Sequence, residues 1–521
     1  MKKISIIILS GIAVVMLGSS CKKYLNINAN PNQSTSSTPD AVLPQAIVYT
    51  AANISSFNDY GAELGGYAAN AGGYGGFGSN WTYDFGPNDY AGLWSSTYDA
   101  LEDLQFVLNS TQGDSLYPYH NAAARILKAY NYELLVDTYN NVPYTNALQG
   151  TTDLTPTYDD AKTLYPLLAN ELDTAIATIE AANTNVAEAL TSGTDPLFGG
   201  NETSWIQFAN TIKLRLIVRA SAMVTFSNTT FDANGFLATD AVVNPGYQKA
   251  TGQISPSWGD WVQTYTGGNG NRAWMPCTFV FSFYNGTKLS DNARGSVIYF
   301  DYPATPNNQL GVGLTTVPSA PATTNGWYSG STTSLGSAPG IMKGPNMGEP
   351  LMLAAESYFL QAEANVRNIV SGTAKTNFYN GIEASFNYLY LLPDDKTLAT
   401  GLDPVADAAT YEANNATSYL VNYSLATTTA QQIEAIITQK YIALNFINSQ
   451  EGWNEYRRTT YPKIVDGSQD GTLTFASTLS QSSRPDKLPS RLLYPASEYS
   501  YNSANVPTGI SPYTSLIFWA Q

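Results

Sequence analysis

Apolar residues recur at helical spacing in several long segments, and this periodicity restricts the fold more than any other feature of the sequence. In the segment 123–134, apolar side chains follow the spacing i, i+3, i+4, i+7 and i+11. Six further segments are predicted to be helical: 94–109, 161–179, 205–216, 351–362, 375–391 and 433–444. The sequence therefore predicts an all-α fold, an α/α superhelix of tetratricopeptide-like helix pairs, although no strict repeat of about 34 residues is visible.

The predicted helices fall into two regions, about 94–225 and 350–460. The block between them, about 226–349, is rich in Gly, Thr, Asn, Pro and aromatic residues and has weak helical periodicity. It is predicted to consist of long loops with short strands. Loop blocks of this length usually carry function, so this insertion is the expected ligand-binding part.

The N-terminus has the pattern of a secretory signal that ends at a cysteine. Two lysines precede an apolar run of about 14 residues, shorter than the roughly 20 needed to span a membrane. Small residues then lead to Cys21, a position typical of lipidation in bacterial lipoproteins. We predict a lipoprotein signal peptide at 1–20, a lipidated tether at 21–40 and one domain at 41–521.

The charge balance makes nucleic acid an improbable partner. Asp and Glu number 41 against 25 Lys and Arg, and the net charge is −16. Phosphate binding needs a basic surface, which this composition does not offer. Only 13% of residues are charged while 36 are Tyr, a composition that suits contact with neutral polar ligands outside the cytoplasm.

Metal, disulfide and imidazole chemistry find little support in the sequence. Cys277 is the single cysteine besides Cys21, so no disulfide framework is expected, and it is predicted to be a small buried residue. His120 is the single histidine, which excludes a His-rich zinc site, and it is predicted to lie at the surface or to cap a helix. Asp291-Asn292 lacks the spacing of a calcium loop. No metal and no cofactor are predicted.

Catalysis by paired carboxylates is not indicated either, since no Asp or Glu pair stands out. Glu356 and Glu363 lie seven residues apart on nearly one face of a predicted helix. They are best interpreted as polar partners inside a helix pair. Arg457 and Arg458, near a helix end, are interpreted as structural. No catalytic residue is predicted.

Aromatic residues in glycine-rich loops are the strongest functional signal from the residues themselves. The segment 67–94 holds several glycines, but it lacks the Gly-Lys-Ser/Thr of a phosphate loop. Sugar rings have apolar faces that stack on Trp and Tyr, while Asn and Asp bind hydroxyls. The alternative is that these aromatic residues pack the loop onto the helices, as we expect for Trp94.

Two further aromatic clusters follow in the loop-rich block, one at 258–274, which includes Tyr265, and one at 327–328. Exposed apolar clusters usually mark binding surfaces. The predicted ligand-binding residues are Trp81, Tyr83, Asn88, Trp258, Trp261, Arg272, Trp274, Trp327 and Tyr328.

Six ordered blocks resemble the SusD/RagB family of outer-membrane nutrient-binding lipoproteins, in its SusD-like branch. They include the segment after Cys21, Trp205-Ile-Gln-Phe-Ala-Asn210 and Ala355-Glu-Ser-Tyr-Phe-Leu-Gln-Ala-Glu-Ala364. The others lie at 129–144, 439–462 and 488–502. One departure is Asp291-Asn-Ala-Arg294, where relatives often have Asp-Pro-Arg.

The resemblance implies tetratricopeptide-like helix pairs carrying a loop-rich ligand-binding part. It also implies a surface-exposed, lipid-anchored protein of the outer membrane that caps a SusC-like TonB-dependent transporter. Such a cap holds an oligosaccharide and delivers it into the barrel without catalysis. Two alternatives stay open at this point: the same cap role for peptides, and a surface glycosidase built on α-helices.

Overall fold

Fifteen α-helices form most of the regular structure in the computed structural model, which describes residues 37–321, 326–330 and 338–521. They are α1 (Pro39–Leu64), α2 (Gly78–Thr82), α3 (Ala91–Thr111), α4 (Pro118–Tyr139), α5 (Ala161–Glu180), α6 (Glu202–Ala220), α7 (Pro256–Trp261), α8 (Thr278–Phe281), α9 (Asn292–Ile298), α10 (Ala354–Val366), α11 (Ala374–Tyr390), α12 (Pro404–Asn414), α13 (Thr429–Ala443), α14 (Ser449–Thr459) and α15 (Ala496–Tyr501). The predicted signal peptide, Cys21 and most of the predicted tether lie outside the described residues.

The long helices pack as sequential pairs. In the first helical region α3, α4, α5 and α6 each contact the next, and in the second α10 contacts α11, which contacts α12. The two regions meet where α10 packs against α6, and α10 also packs against α13 within the second region. All seven segments predicted from apolar periodicity are helical over most of their length, so the all-α prediction is confirmed.

The longest helix among the described residues, α1, was not predicted, and only its first two residues overlap the segment 21–40 that was interpreted as tether. Pro39 stands in its first turn, where its fixed φ is compatible with a helix, and Asp40 favours the same end. The helix packs between α3 and α14. A Cβ on Gly61 would lie 2.0 Å from the backbone nitrogen of Gln450, so only glycine permits this close approach.

The loop-rich block contains short helices and short strands. Strands β1 (Ala68–Asn70) and β3 (Trp274–Pro276) pair antiparallel. Strands β2 (Ala241–Val243) and β4 (Glu349–Met352) form a second antiparallel pair. Since β1 follows α1 and β4 ends just before α10, these ladders attach the loop-rich block to the segment after α1 and to the start of the second helical region.

A buried network of charged side chains joins α4, α6, α10, α13 and α14. The guanidinium of Arg215 pairs with Glu133 at 2.6 Å and with Glu356 at 3.0 Å. Arg219 pairs with Glu133 at 3.0 Å and also with Asp137 and Glu451. Because each of these ions is at most 4% exposed, the helix packing depends on their mutual neutralisation.

Further ion pairs and hydrogen bonds of this network confirm that Glu363 is a polar partner between helices and that Arg457 and Arg458 are structural. Glu363 accepts two hydrogen bonds from Arg458, at 2.8 and 2.6 Å, so both residues are structural. Burial alone would raise the pKa of Glu363, but the guanidinium groups of Arg458 and Arg367 hold it down to about 2. Arg457 donates to backbone oxygens of Ser490 and Asp137 and is structural as well.

The single histidine, His120, and the single cysteine of the described residues, Cys277, are both buried. Cys277 is fully buried, as predicted, and burial raises the pKa of its thiol to about 11. For His120 the expectation of a surface position is wrong, since its ring is fully buried and hydrogen-bonds Asp40 at 2.8 Å. The partner lies in the first turn of α1, the helix that was not predicted.

Candidate functional site

Three aromatic clusters that are far apart in sequence come together in the structure. The β1–β3 ladder sets Asn70 opposite Trp274 and so brings the glycine-rich segment beside the second cluster. The indole nitrogen of Trp327 donates to the backbone oxygen of Arg272 at 3.0 Å, which attaches the third cluster to the same place. The convergence follows from backbone pairing and could not be inferred from spacing.

The accessible part of this region is centred on Trp81, in the short helix α2. Its ring is partly exposed and stacks on Phe77 with centroids 5.3 Å apart. Trp274 meets the other side of Phe77 edge-on at 5.1 Å. We refer to Phe77, Trp81, Trp274 and the adjoining Arg272 as the aromatic surface. Phe77 and Trp274 are 5% and 7% exposed, so Trp81 offers most of the free ring area.

Polar groups border the aromatic surface on the side of Arg272. The guanidinium of Arg272 is held by Asn269 at 2.9 Å and by the backbone oxygen of Pro321 at 3.1 Å, and it remains partly exposed. Asn269 closes a turn with Gln263, and Tyr265 on that turn is 46% exposed. The aromatic surface therefore includes a fixed cation, Arg272, and the exposed ring of Tyr265 lies on the adjoining turn.

Five of the predicted ligand-binding residues lie beneath the surface and form its base. Trp258, Trp261, Trp327, Tyr328 and Tyr83 are each at most 2% exposed. Protein covers their ring faces, so the direct stacking on a sugar predicted at these positions is not available in this structure. The sequence signal, Trp in glycine-rich loops, does not distinguish a ring that packs under the loop from one that the loop presents.

Hydrogen bonds explain why these rings are drawn inward. The Trp261 indole nitrogen donates to Asp59 of α1 at 2.7 Å, and its ring meets Phe446 edge-on at 4.4 Å. The hydroxyl of Tyr83 accepts from the backbone nitrogen of Ser477 at 3.1 Å. Each partner comes from a distant part of the chain, and α1 in particular was not predicted.

Asn88 is exposed in the turn that precedes α3, and its part in ligand binding stays a prediction. The neighbouring Asp89 fixes this turn by accepting hydrogen bonds from the Gly86 backbone nitrogen at 2.7 Å and from the Ser79 hydroxyl at 2.6 Å. The turn is thereby held against α2, the helix that carries Trp81.

Sequence reasoning missed the carboxylate that ties the glycine-rich segment to the core. Glu63, near the end of α1, accepts from the side-chain nitrogen of Asn80 at 2.7 Å and from the hydroxyl of Tyr90. Burial raises the pKa of Glu63 to about 7, although both hydrogen bonds favour the charged form. No sequence signal marked this residue, because its helix was not recognised.

Two more carboxylates, Asp59 and Glu349, lie among the buried residues beneath the aromatic surface. Burial raises the pKa of Asp59 well above its ordinary value, and it raises that of Glu349 to about 7. The Glu349 carboxylate is already occupied by the hydroxyl of Ser257 at 2.7 Å. Among the described residues, no group of three or more His, Cys, Asp or Glu could hold a metal ion.

A large cavity that the sequence did not indicate lies away from the aromatic surface. Its volume is about 840 Å³, and its walls come from the 196–199 loop, β2, α10 and α11. None of the aromatic-surface residues lines it. The molecule therefore offers two separate places where a ligand could be held.

Several solved structures share this architecture. A SusD homologue from Bacteroides uniformis has 25% identity and a TM-score of 0.67, covering 92% of this chain and 99% of that one. A chitin-binding SusD homologue from Flavobacterium johnsoniae has 20% identity and a TM-score of 0.67, with the same coverage. A SusD homologue from Bacteroides fragilis has 18% identity and a TM-score of 0.66, covering 93% of this chain and 100% of that one.

Comparison with curated proteins finds no match. Within the described residues, no helix has both the length and the apolar character required to traverse a bilayer. A family profile described as starch-binding and associating with the outer membrane matches residues 31–495, which is most of the chain. The protein belongs to the SusD-like family.

Proposed function

We propose that this protein is a lipid-anchored glycan-binding protein of the outer membrane that passes an oligosaccharide to a SusC-like TonB-dependent transporter. The observation that carries the proposal is the convergence of three aromatic loop segments on one surface with Trp81 partly exposed, in a chain of the SusD-like family. One relative of the same fold, from Flavobacterium johnsoniae, is described as chitin-binding, which supports a glycan as ligand.

The proposed ligand contact is stacking of a sugar ring on the exposed face of Trp81. Because Phe77 backs the indole at 5.3 Å, the ring is held in place before ligand arrives, which lowers the entropy cost of binding. We expect the guanidinium of Arg272, which Asn269 holds, and the exposed Tyr265 to meet further sugar hydroxyls. Neutral sugars are the expected class, because the aromatic surface carries a single charge.

No chemical step is proposed. Two carboxylates that contact the aromatic loop segments, Asp59 and Glu63, are engaged by Trp261, Asn80 and Tyr90 in hydrogen bonds that hold the fold. A glycosidase needs two carboxyl groups that are free to reach the glycosidic oxygen and the anomeric carbon. We therefore expect the purified protein to bind glycans without forming products.

The test is a glycan-array screen of the protein lacking residues 1–22, with a peptide library alongside. We expect binding to one glycan class, and we expect Trp81→Ala to weaken it by about fivefold or more, since a central aromatic contact usually contributes over 1 kcal/mol. The control is Tyr501→Ala, because Tyr501 is 81% exposed and lies outside the aromatic surface. Equal binding by both variants would contradict the assignment, and peptide binding without glycan binding would contradict the ligand class.

The transporter partner and the anchor are tested separately in the native membrane. We expect a SusC-like barrel to co-purify with the full-length protein under gentle detergent, and we expect Cys21→Ala to abolish membrane retention. Two or three acyl chains suffice for stable anchoring, so no spanning helix is needed. Retention of the Cys21→Ala protein in washed membranes without the barrel would contradict the lipid anchor.

A further inference from the structure

The cavity beside α10 and α11 has the size and the walls of a ligand site. Its volume of about 840 Å³ falls within the range of roughly 300–1,000 Å³ typical of small-molecule pockets. The lining comes from the 196–199 loop, the 238–244 segment, the 391–396 loop and the start of α12. Residues of α10 and α11 complete it. We refer to this cavity as the helical cleft.

One face of α11 supplies polar groups to the helical cleft. Asn380, Glu383 and Asn387 are spaced by three and four residues, so their side chains project from the same side of the helix. Carboxamides offer a donor and an acceptor together, and they suit a ligand with several hydroxyl groups. Two partly exposed aromatic rings, Phe198 and Tyr358, stand in the lining as apolar faces.

The helical cleft is also strongly acidic. Its lining contains four carboxylates and one lysine, which are Asp240, Glu383, Asp394, Asp395 and Lys396. Asp395 is compensated by the buried Lys343 at 3.3 Å, and Asp240 accepts from the Ala354 backbone nitrogen at 2.8 Å. Glu383 is exposed and forms no ion pair within the described part of the chain. The cleft therefore favours a ligand that brings positive charge.

We propose that the helical cleft is a second ligand site, distinct from the aromatic surface, and that it takes a saccharide with free amino groups. Such a ligand combines hydroxyls for Asn380 and Asn387, apolar ring faces for Tyr358, and ammonium groups for Glu383. The saccharide part of this assignment rests on the proposed glycan-binding function, whereas the positive charge follows from the lining alone. A fully N-acetylated saccharide lacks the charge and is expected to prefer the aromatic surface.

The experiment is calorimetric titration of the protein lacking residues 1–22 with a glucosamine hexasaccharide at mildly acidic pH, where the sugar amines are protonated. The N-acetylglucosamine hexasaccharide is titrated in parallel. We expect Glu383→Gln to weaken binding of the amino saccharide by about threefold and Glu383→Lys by about tenfold, a factor that corresponds to roughly 1.4 kcal/mol. Glu102→Gln, an exposed change on α3 outside the cleft, is expected to leave it unchanged, whereas Trp81→Ala is expected to affect only binding at the aromatic surface.

The outcomes separate this inference from the proposed function. Loss of amino-saccharide binding in Glu383→Lys but not in Trp81→Ala, with weaker binding at high salt, would support the helical cleft. Absence of amino-saccharide binding, or binding lost only in Trp81→Ala, would overturn it even if the acetylated saccharide still binds at Trp81. Tighter binding of a short lysine peptide that depends on Glu383 would overturn the saccharide class. Amino-saccharide binding that depends on Glu383, without any neutral glycan binding, would leave the cleft standing and refute the neutral-sugar site.

Discussion

Replacing Glu63 by Gln tests whether burial of this carboxylate governs how the glycine-rich segment is held. The side chain lies at the end of α1 and accepts hydrogen bonds from Asn80 and Tyr90, which flank Trp81 in the chain. Glutamine has nearly the same shape and keeps one acceptor oxygen for these two donors. The substitution therefore removes the charge while leaving most of the packing in place.

The sign of the effect follows from the raised pKa. Burial, opposed by the two hydrogen bonds, raises the pKa of Glu63 from 4.5 to about 7. Below the unfolded value both states are protonated, so the carboxyl imposes no penalty on folding. As pH rises towards the folded pKa, the unfolded chain ionises first and stability falls. Since one pKa unit corresponds to about 1.4 kcal/mol, the loss above pH 7 reaches up to about 3 kcal/mol.

We therefore expect Glu63→Gln to be more stable than the parent protein at about pH 8 and nearly equal to it at about pH 4. Urea unfolding followed by tryptophan fluorescence at both pH values measures the difference. Glu102→Gln, at an exposed position on α3, is the control and should change neither value by more than about 0.5 kcal/mol. A Glu63→Gln protein that is less stable than the parent at the higher pH would refute the reasoning, because it would mean that the charged form stabilises the fold.

Two further predictions contrast a buried position with an exposed one. Arg219→Ala leaves several buried carboxylates without a counter-charge and is expected to cost about 3–5 kcal/mol, whereas Arg125→Ala breaks a partly exposed pair with a cost below about 1 kcal/mol. Similar midpoints of urea unfolding for the two variants would contradict the importance of the buried network. Gly61→Ala places a Cβ 2.0 Å from a backbone atom of α14 and is expected to destabilise strongly, while Gly92→Ala, in open space on α3, should stabilise by about 0.5–1 kcal/mol. Thermal unfolding by circular dichroism compares them, and a tolerated Gly61→Ala would mean that the two helices are not in close contact.

The helices that could be predicted are those with one apolar face. In α5, for example, Leu164, Leu168 and Leu172 are buried while the opposite side is exposed, and periodicity reports such an arrangement directly. Helix α1 is buried on several sides, and polar residues interrupt its apolar pattern. Asn58 is one of them, since it donates to the Phe446 backbone oxygen at 3.2 Å and accepts from the Ser449 backbone nitrogen at 2.9 Å. Because these partners are 388 and 391 residues away, nothing in the sequence around Asn58 indicates that its side chain is buried.

The same reason limits how far the binding residues could be predicted. The sequence singled out three aromatic segments, and these come together around the aromatic surface, but their part in ligand binding stays a prediction. Which ring in each segment stays accessible depends on tertiary partners, as the burial of Trp261 against Asp59 illustrates beside the exposure of Trp81. The helical cleft was missed because its lining comes from parts of the chain that are far apart, and the lining stretches 196–199, 238–244 and 391–396 carry no cluster of aromatic residues.

The buried charge network has a consequence for how the chain is made. Arg219 and its partner Glu451 are 232 residues apart, and Lys440 also joins the cluster from the late part of the chain. Until α10 and α14 have been synthesised, the arginines of α6 lack Glu356 and Glu451, two of the carboxylates that permit their burial. The first helical region therefore cannot close around them while the C-terminal part is still emerging. A core whose charges are balanced only by its later helices therefore favours folding after those helices have been made.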